Sequence, residues 1–377
     1  MKGFVLGSDK FDELYKMCQG MRCGLLTSAT GVDRGGVPTY AKLNDRGLLS
    51  VMFSPEHGIH SVLQDGVWDG EYTDKETGVP VYDIKGSGNT NINRALSLCD
   101  VLIYDIQDVG ARFYTYVYCL TYMMKECAQR KIPVIVLDRP NPISCDLNMV
   151  EGAVLDESRF SSGVGRYAIP TRYSLTVGEF AKYVNVSKNI NCDLTVIHCE
   201  NLSRKEYWDE LSLAWINPSP NIPSLHCALN YIGTCIIEAT NVSEGRGTTR
   251  PFDIVGAPFV DSRQLCERLN SAGLEGVIFS RAFFTPMFGK WQGEACEGVQ
   301  LNVTDRNLYS PYRTGLHLLS ALAEFPLFTV KPDSLALRHG NDLLGDCKSI
   351  DPERLIKNNA PLRGQFLKDI EEHLIYN

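Results

Sequence analysis

The sequence predicts an α/β fold built on a parallel sheet with helices on both faces, followed by a smaller domain. Short apolar runs bounded by turn residues recur at residues 21–27, 48–53, 100–106 and 132–137, as is typical of strands buried on both faces of a sheet. A helical pattern at residues 113–130 separates the last two runs. This strand–helix–strand order predicts parallel strands joined by right-handed crossovers.

The segment between the second and third predicted strands has a different character. Residues 59–90 are polar and rich in Gly and Asp, with a short strand pattern only at residues 79–82. We interpret this segment as a long loop. Loops of this length inside a compact domain are usually functional.

Beyond about residue 150 the alternation of strands and helices ends, and a proline-rich stretch occupies residues 217–223. Helix or strand patterns recur at residues 176–186, 203–211, 276–279, 298–303 and 312–324. We therefore predict an N-terminal domain over residues 1–150, with a boundary between 150 and 230, and a smaller C-terminal domain over residues 230–377.

The composition is that of a soluble globular protein. Hydrophobic residues make up 44% of the 377 residues and charged residues 22%, with a formal net charge of −8. A nucleic acid or an anionic membrane as the main partner would require a basic stripe, which the sequence lacks. We therefore expect neither of these partners.

The cysteines indicate a reducing compartment. There are thirteen, none in a C-x-x-C pair, and some, such as Cys119 and Cys235, lie within apolar runs where a free thiol behaves as a small hydrophobe. The N-terminal residues lack the long apolar segment of a secretory signal. These features predict a cytoplasmic protein.

The strongest candidate for chemistry is Glu56, which follows the strand at residues 48–53. Parallel sheets place ligands just beyond the carboxyl ends of their strands. Pro55 and Gly58 form a turn around Glu56, and a carboxyl group held against Phe53 and Pro55 would have the raised pKa of an acid catalyst. The alternative is an ordinary turn with a solvated glutamate.

Two further polar groups follow predicted strands. In the first, Asp108 and Arg112 stand between residues 104 and 114, either as ligands for a polar substrate or as a helix cap and its ion-pair partner. In the second, Arg139 lies in the DRPNP sequence at residues 138–142, where the prolines either end the strand or shape a site.

A third polar group occupies residues 238–248, where glycines flank Arg246 and where Asn241 and Glu244 lie nearby. Such a loop suits recognition of a hydroxylated, charged ligand better than it suits a surface turn. By contrast, the sequence contains no G-x-G-x-x-G, P-loop, nucleophile-elbow or zinc-ligand pattern. We therefore predict neither a cofactor nor a metal.

These motifs resemble those of the NamZ-type exo-β-N-acetylmuramidases over nearly the whole chain. The resemblance rests on SPEHG at 54–58, TGVPVY at 77–82, YDIQDVGARFYTY at 104–116, LDRPNP at 137–142, SPNIPS at 219–224 and TNVSEGRGTTRPF at 240–252.

The resemblance implies a bacterial glycoside hydrolase that removes N-acetylmuramic acid from the non-reducing ends of peptidoglycan fragments. It also implies a Rossmann-like N-terminal domain, a smaller α+β C-terminal domain and an active-site cleft between them. The family's catalytic glutamate falls on Glu56. Its polar cleft residues fall on Asp108, Arg112, Tyr114, Asn221, Asn241, Glu244 and Arg246, and we add His57 and Arg139 as candidate substrate-binding residues.

Besides the acid, glycoside cleavage requires a second group that acts on the cationic anomeric carbon. Glu244, Asp108 or the substrate's own acetamido oxygen could serve. The lactyl carboxylate of N-acetylmuramic acid requires a cation, for which Arg112 and Arg246 are candidates. The expected substrates are MurNAc-GlcNAc or muropeptide-derived glycan fragments, and the oligomeric state is left open.

Two other classes of function remain open at this point. A nucleotide-dependent enzyme would explain the parallel sheet but would lack its glycine motif. A non-catalytic protein that binds peptidoglycan fragments would explain a cleft without turnover.

Overall fold

The structure is a computed structural model that describes residues 3–64, 66–68, 70–84 and 89–377. The strands are β1 Cys23–Thr27, β2 Leu49–Ser54, β3 Tyr72–Thr73, β4 Pro80–Asp83, β5 Val101–Asp105, β6 Val134–Leu137, β7 Leu194–Ile197, β8 Ile254–Ala257, β9 Val277–Phe284 and β10 Cys296–Val303. The helices are α1 Phe11–Cys18, α2 Thr39–Asp45, α3 Asn89–Leu96, α4 Tyr116–Arg130, α5 Glu157–Phe160, α6 Val177–Ser187, α7 Leu225–Thr234, α8 Ser262–Asn270, α9 Pro311–Leu322, α10 Pro332–His339 and α11 Pro352–Ile370. Within these ranges, no helix combines the length and the apolar character needed to cross a membrane.

Seven strands form the larger sheet in the order β3-β4-β2-β1-β5-β6-β7. All neighbouring pairs are parallel except β3 and β4. Alternate residues of each central strand face opposite sides: Leu25 packs with α1 and α2, whereas Leu26 packs with α3, α4 and α6. The predicted parallel sheet with helices on both faces is confirmed.

The second sheet is smaller and antiparallel, with the strand order β8-β10-β9. Helices α7 and α9 pack closely because each has a glycine at the crossing: a Cβ added to Gly233 would lie 2.0 Å from the Pro311 carbonyl oxygen. One continuous apolar cluster joins these elements to the α4 side of the large sheet. The smaller α+β part of the predicted fold is confirmed.

One predicted helix was wrong. Residues 203–211 contain only a 3₁₀ turn at Trp208–Glu210. The Glu210 side chain accepts the Tyr207 backbone N–H at 2.7 Å, which an α-helix would direct to the Ser203 carbonyl oxygen.

The predicted loop at residues 59–90 is more ordered than the sequence indicated. It contains β3, and α3 begins at Asn89. The parts of this prediction that fall on residues 65, 69 and 85–88 lie outside the described residues.

Candidate active site

A cavity of about 550 Å³ lies where the carboxyl end of β2 and the start of α4 meet the region around α7 and residues 238–252. This volume lies within the range of small-molecule sites. Its polar and charged lining residues include Glu56, His57, Thr115, Arg166, Ser219, Asn221, Glu238, Arg246 and Arg338. Its aromatic lining residues are Trp68, Phe113, Tyr114, Tyr118, Tyr122, Tyr231 and Phe252.

Glu56 enters this cavity from the turn that follows β2. Its Oε1 accepts the Gly66 backbone N–H at 2.8 Å, and its Oε2 lies 3.3 Å from the Thr115 hydroxyl. His57 and Gly58 take positive φ angles of 74° and 77°, a conformation that is uncommon for a non-glycine residue and that reverses the chain here. The strand, the turn and the start of α4 together position the carboxyl group.

The His57 side chain anchors the loop that follows. It is buried, and its Nδ1 lies 2.7 Å from the Leu63 carbonyl oxygen. Its ring meets Tyr116 edge-on at 6.5 Å. His57 therefore lines the cavity and also holds the segment that carries Gly66.

Helix α4 begins at Tyr116 rather than at residue 113 as predicted. The shorter helix leaves Tyr114 in a turn that faces the cavity, where its ring packs edge-on against Tyr116 at 4.8 Å and Tyr231 at 6.2 Å. Asn221 lines the opposite side, and its Nδ2 donates to the Gln64 Oε1 at 3.1 Å. The structure thus brings Tyr114 and Asn221 into one cavity with Glu56.

Another part of the cavity wall is an ion-pair cluster of Glu238, Arg246 and Arg338. Glu238 accepts from Arg246 at 2.6 Å through one oxygen and from Arg338 at 2.7 Å through the other. The Arg246 guanidinium also lies over the Phe252 ring at 5.3 Å. The sequence indicated Arg246, but it gave no reason to select Glu238 or to bring Arg338 of α10 to the same wall.

The structure does not bring Asp108 and Arg112 to the cavity lining. Asp108 is buried, and its Oδ2 accepts from the Tyr173 hydroxyl and from Gly110 N at 2.7 Å. Arg112 is fully buried and donates to the carbonyl oxygens of Arg338 and His339 at 3.0 and 2.7 Å. Arg112 therefore supports the cavity wall through the backbone of Arg338, which lines the cavity, whereas the partners of Asp108 lie outside the lining.

Three more of the predicted site residues, Asn241, Glu244 and Arg139, do not line this cavity. Asn241 bonds to the backbone of Leu327 and Thr329, and Glu244 bonds to Lys290 at 2.9 Å, behind Arg246. Burial lowers the pKa of Lys290, and Glu244 partly offsets that shift. Arg139 lines a separate cavity of about 40 Å³, where its Nε donates to Asp105 at 2.6 Å.

We expect Asp108→Asn to raise stability above pH 6. Burial raises the pKa of Asp108 to about 6, above the unfolded value near 3.9. The folded wild type therefore binds more protons than the unfolded chain between about pH 4 and 6, and its stability falls as pH rises through this range. The asparagine avoids this loss, so the variant should gain about 2–3 kcal/mol at pH 7 and almost nothing below pH 4.

Urea unfolding of both proteins from pH 3.5 to 7.5 measures this difference, and a pH-independent difference would contradict the assignment. Because Asp108 does not line the cavity, we also expect the variant to retain, within a few-fold, the glycosidase activity that the resemblance implies. A loss of activity comparable to that of a Glu56 variant would instead restore Asp108 as a candidate catalytic group.

In the part of the chain that the structure describes, no cluster of three His, Cys, Asp or Glu residues could hold a metal ion. All thirteen cysteines fall within that part, and each is free.

A positioned carboxyl group in a cavity of this size provides the acid that a glycoside hydrolase requires. The chain belongs to the exo-β-N-acetylmuramidase NamZ family, because the family's N-terminal model matches residues 23–226 and its C-terminal model matches residues 229–376.

Known proteins resemble the chain along its length. The peptidoglycan β-N-acetylmuramidase NamZ of Bacillus subtilis (strain 168) is 40% identical over 371 residues, which cover 96% of this chain and 88% of the relative. A crystal structure of a DUF1343 family protein from Bacteroides fragilis matches 99% of both chains, with a TM-score of 0.88 and 28% identity. A second one from the same organism matches 100% of this chain and 99% of the other, with a TM-score of 0.79 and 27% identity.

Proposed function

We propose that this protein is an exo-acting β-N-acetylmuramidase that releases N-acetylmuramic acid from the non-reducing end of peptidoglycan fragments, with Glu56 as the general acid. Two observations support the proposal: the Glu56 carboxyl group lies in the main cavity, and a relative with 40% identity is a peptidoglycan β-N-acetylmuramidase. Incubation with MurNAc-GlcNAc, followed by detection of both free sugars, tests the activity.

The same incubation separates this function from its rivals. A protein that only binds fragments would leave the disaccharide intact, and a nucleotide-dependent enzyme would gain thermal stability from NAD or ATP. We expect turnover of the disaccharide and no shift with either nucleotide.

The contacts of Glu56 favour one oxygen as the proton donor. The Gly66 N–H can only donate, so it occupies Oε1 as an acceptor at 2.8 Å. A proton on the carboxyl group then lies on Oε2, beside the Thr115 hydroxyl. We infer that Oε2 transfers its proton to the glycosidic oxygen as the bond from that oxygen to the anomeric carbon breaks.

The second reacting group is best supplied by the substrate. Among the described residues that line the cavity, Glu56 and Glu238 are the carboxylates, and both oxygens of Glu238 accept from arginines. The contacts therefore favour attack of the substrate's acetamido oxygen on the anomeric carbon. Water then opens that intermediate and returns a proton to Glu56.

We expect Thr115→Val to lower kcat about 10-fold with little change in KM. Thr115 is a positioning residue, because its hydroxyl lies 3.3 Å from Glu56 Oε2 at the start of α4. Valine keeps the shape but removes the hydrogen bond, so proton transfer loses its alignment.

Steady-state kinetics on MurNAc-GlcNAc, whose sugar leaving group requires protonation, measure this effect. Thr121→Val on the same helix is the matched control, since the Thr121 hydroxyl donates to the Tyr118 carbonyl oxygen inside α4. A rise in KM at constant kcat would contradict the positioning role.

We also propose that the protein acts in the cytoplasm on fragments recovered during cell-wall recycling. Thirteen free cysteines, most of them buried, suit a reducing compartment. Immunodetection after cell fractionation tests this location, and recovery of the protein only outside the cytoplasm would refute it.

A further inference from the structure

Arg166 is a cavity-lining cation that the sequence did not indicate. It belongs to a tight hairpin, where Ser162 N donates to Gly165 O at 2.7 Å and the Ser161 hydroxyl donates to Arg166 O at 3.1 Å. The next residue, Tyr167, is buried and packs edge-on against Tyr118 at 6.0 Å. The backbone at Arg166 is thus fixed to the scaffold, while its side chain is exposed at the cavity.

The three arginines that line the cavity differ in their ion pairing. Arg246 and Arg338 share Glu238, with N–O distances of 2.6 and 2.7 Å. Arg166, in contrast, has no ion-pair partner among residues 3–64, 66–68, 70–84 and 89–377. A charged ligand carboxylate would therefore gain most at Arg166, because no protein carboxylate in those ranges must be displaced first.

Arg166 also lies near the proposed acid. Glu56, Arg166 and Cys119 all line the cavity. Burial raises the pKa of the Cys119 thiol to about 12, with the Glu56 carboxylate adding to this shift and the Arg166 guanidinium opposing it. Both charged groups therefore act on one thiol in the first turns of α4. Glu56 and Arg166 therefore both lie close to the first turns of α4, and one ligand in this cavity can contact both groups.

We propose that Arg166 determines specificity by binding the lactyl carboxylate of the terminal N-acetylmuramic acid. This inference rests on the proposed function and names the residue that distinguishes this sugar from one without a carboxylate. It replaces the expectation that Arg112 or Arg246 binds that group, because Arg112 is fully buried and Arg246 already pairs with Glu238 and Glu244. A guanidinium forms two parallel hydrogen bonds with a carboxylate, which an ammonium group cannot reproduce.

The test compares two chromogenic glycosides that differ at one group. The first carries free N-acetylmuramic acid, and in the second the lactyl carboxylate is converted to the neutral amide. We expect Arg166→Gln to lower kcat/KM about 10- to 100-fold for the first glycoside, in proportion to the loss of a charged hydrogen bond. For the amide we expect a change below 3-fold. Arg166→Lys should recover only part of the loss.

Arg159→Gln is the matched control. Arg159 lies on α5 just before the hairpin, pairs with Asp342 at an N–O distance of 2.6 Å, and does not line the cavity. It should match the wild type on both glycosides. Equal losses for both substrates in Arg166→Gln would overturn the proposal while leaving the proposed function intact. Absence of turnover by the wild type would instead overturn the proposed function.

Discussion

Replacement of Glu56 by glutamine is expected to reduce the hydrolysis of N-acetylmuramic acid glycosides by about 10³-fold or more. The side chain lies at the end of β2 in the main cavity, and its two oxygens contact Gly66 N and the Thr115 hydroxyl. Glutamine can accept from Gly66 and donate to Thr115, so the turn should keep its shape. It cannot give a proton to the glycosidic oxygen, so the leaving group departs as an unstabilised anion.

The measurement uses a glycoside with a poor leaving group, for which protonation limits the rate. The variant should unfold at the same urea concentration as the wild type, which separates lost chemistry from lost structure. Glu267→Gln is a suitable control, because that exposed glutamate pairs with Arg263 on the surface of α8. Retention of more than a tenth of the wild-type rate in Glu56→Gln would rule out Glu56 as the acid.

Glu238→Ala is expected to destabilise the protein by about 3 kcal/mol and to impair substrate binding. The Glu238 side chain is 12% exposed and its partners Arg246 and Arg338 are each 19% exposed. Removal of the carboxylate takes the shared partner from two poorly solvated cations, although Arg246 keeps its longer contact with Glu244 at 3.5 Å. The cost therefore includes the repulsion between the two cations as well as the lost hydrogen bonds. The displaced arginines would also reshape the cavity wall.

Urea unfolding at neutral pH measures this cost, and Glu238→Gln should lose less because the amide oxygen still accepts from one arginine. Glu353→Ala provides the comparison on the surface: that side chain is 58% exposed and contacts Arg313 and His317. Its removal should cost at most about 1 kcal/mol. Equal losses in the two alanine variants would show that the cavity wall does not depend on the Glu238 ion pairs.

Four strands of the large sheet could be predicted from local patterns of apolar residues in the sequence. The runs at residues 21–27, 48–53, 100–106 and 132–137 correspond to β1, β2, β5 and β6, because a strand buried on both faces must be apolar at nearly every position. The helix predicted at residues 203–211 was wrong for a local reason, since the Glu210 side chain accepts the Tyr207 N–H that a helix would direct to the Ser203 carbonyl oxygen. Strand β3 has only two residues, too few to produce a periodic signal.

The sequence by itself determined the parallel sheet and the location of Glu56 at a strand end, since both depend on residues that are adjacent in the chain. Tertiary structure alone decided which polar residues share a cavity. Asp108 meets Tyr173, 65 residues away, and turns from the cavity, whereas Arg338 joins Glu238 across 100 residues. The physical reason is that periodicity and turn chemistry are local, whereas a charged side chain takes its position from whichever partner the folded backbone brings within hydrogen-bonding distance.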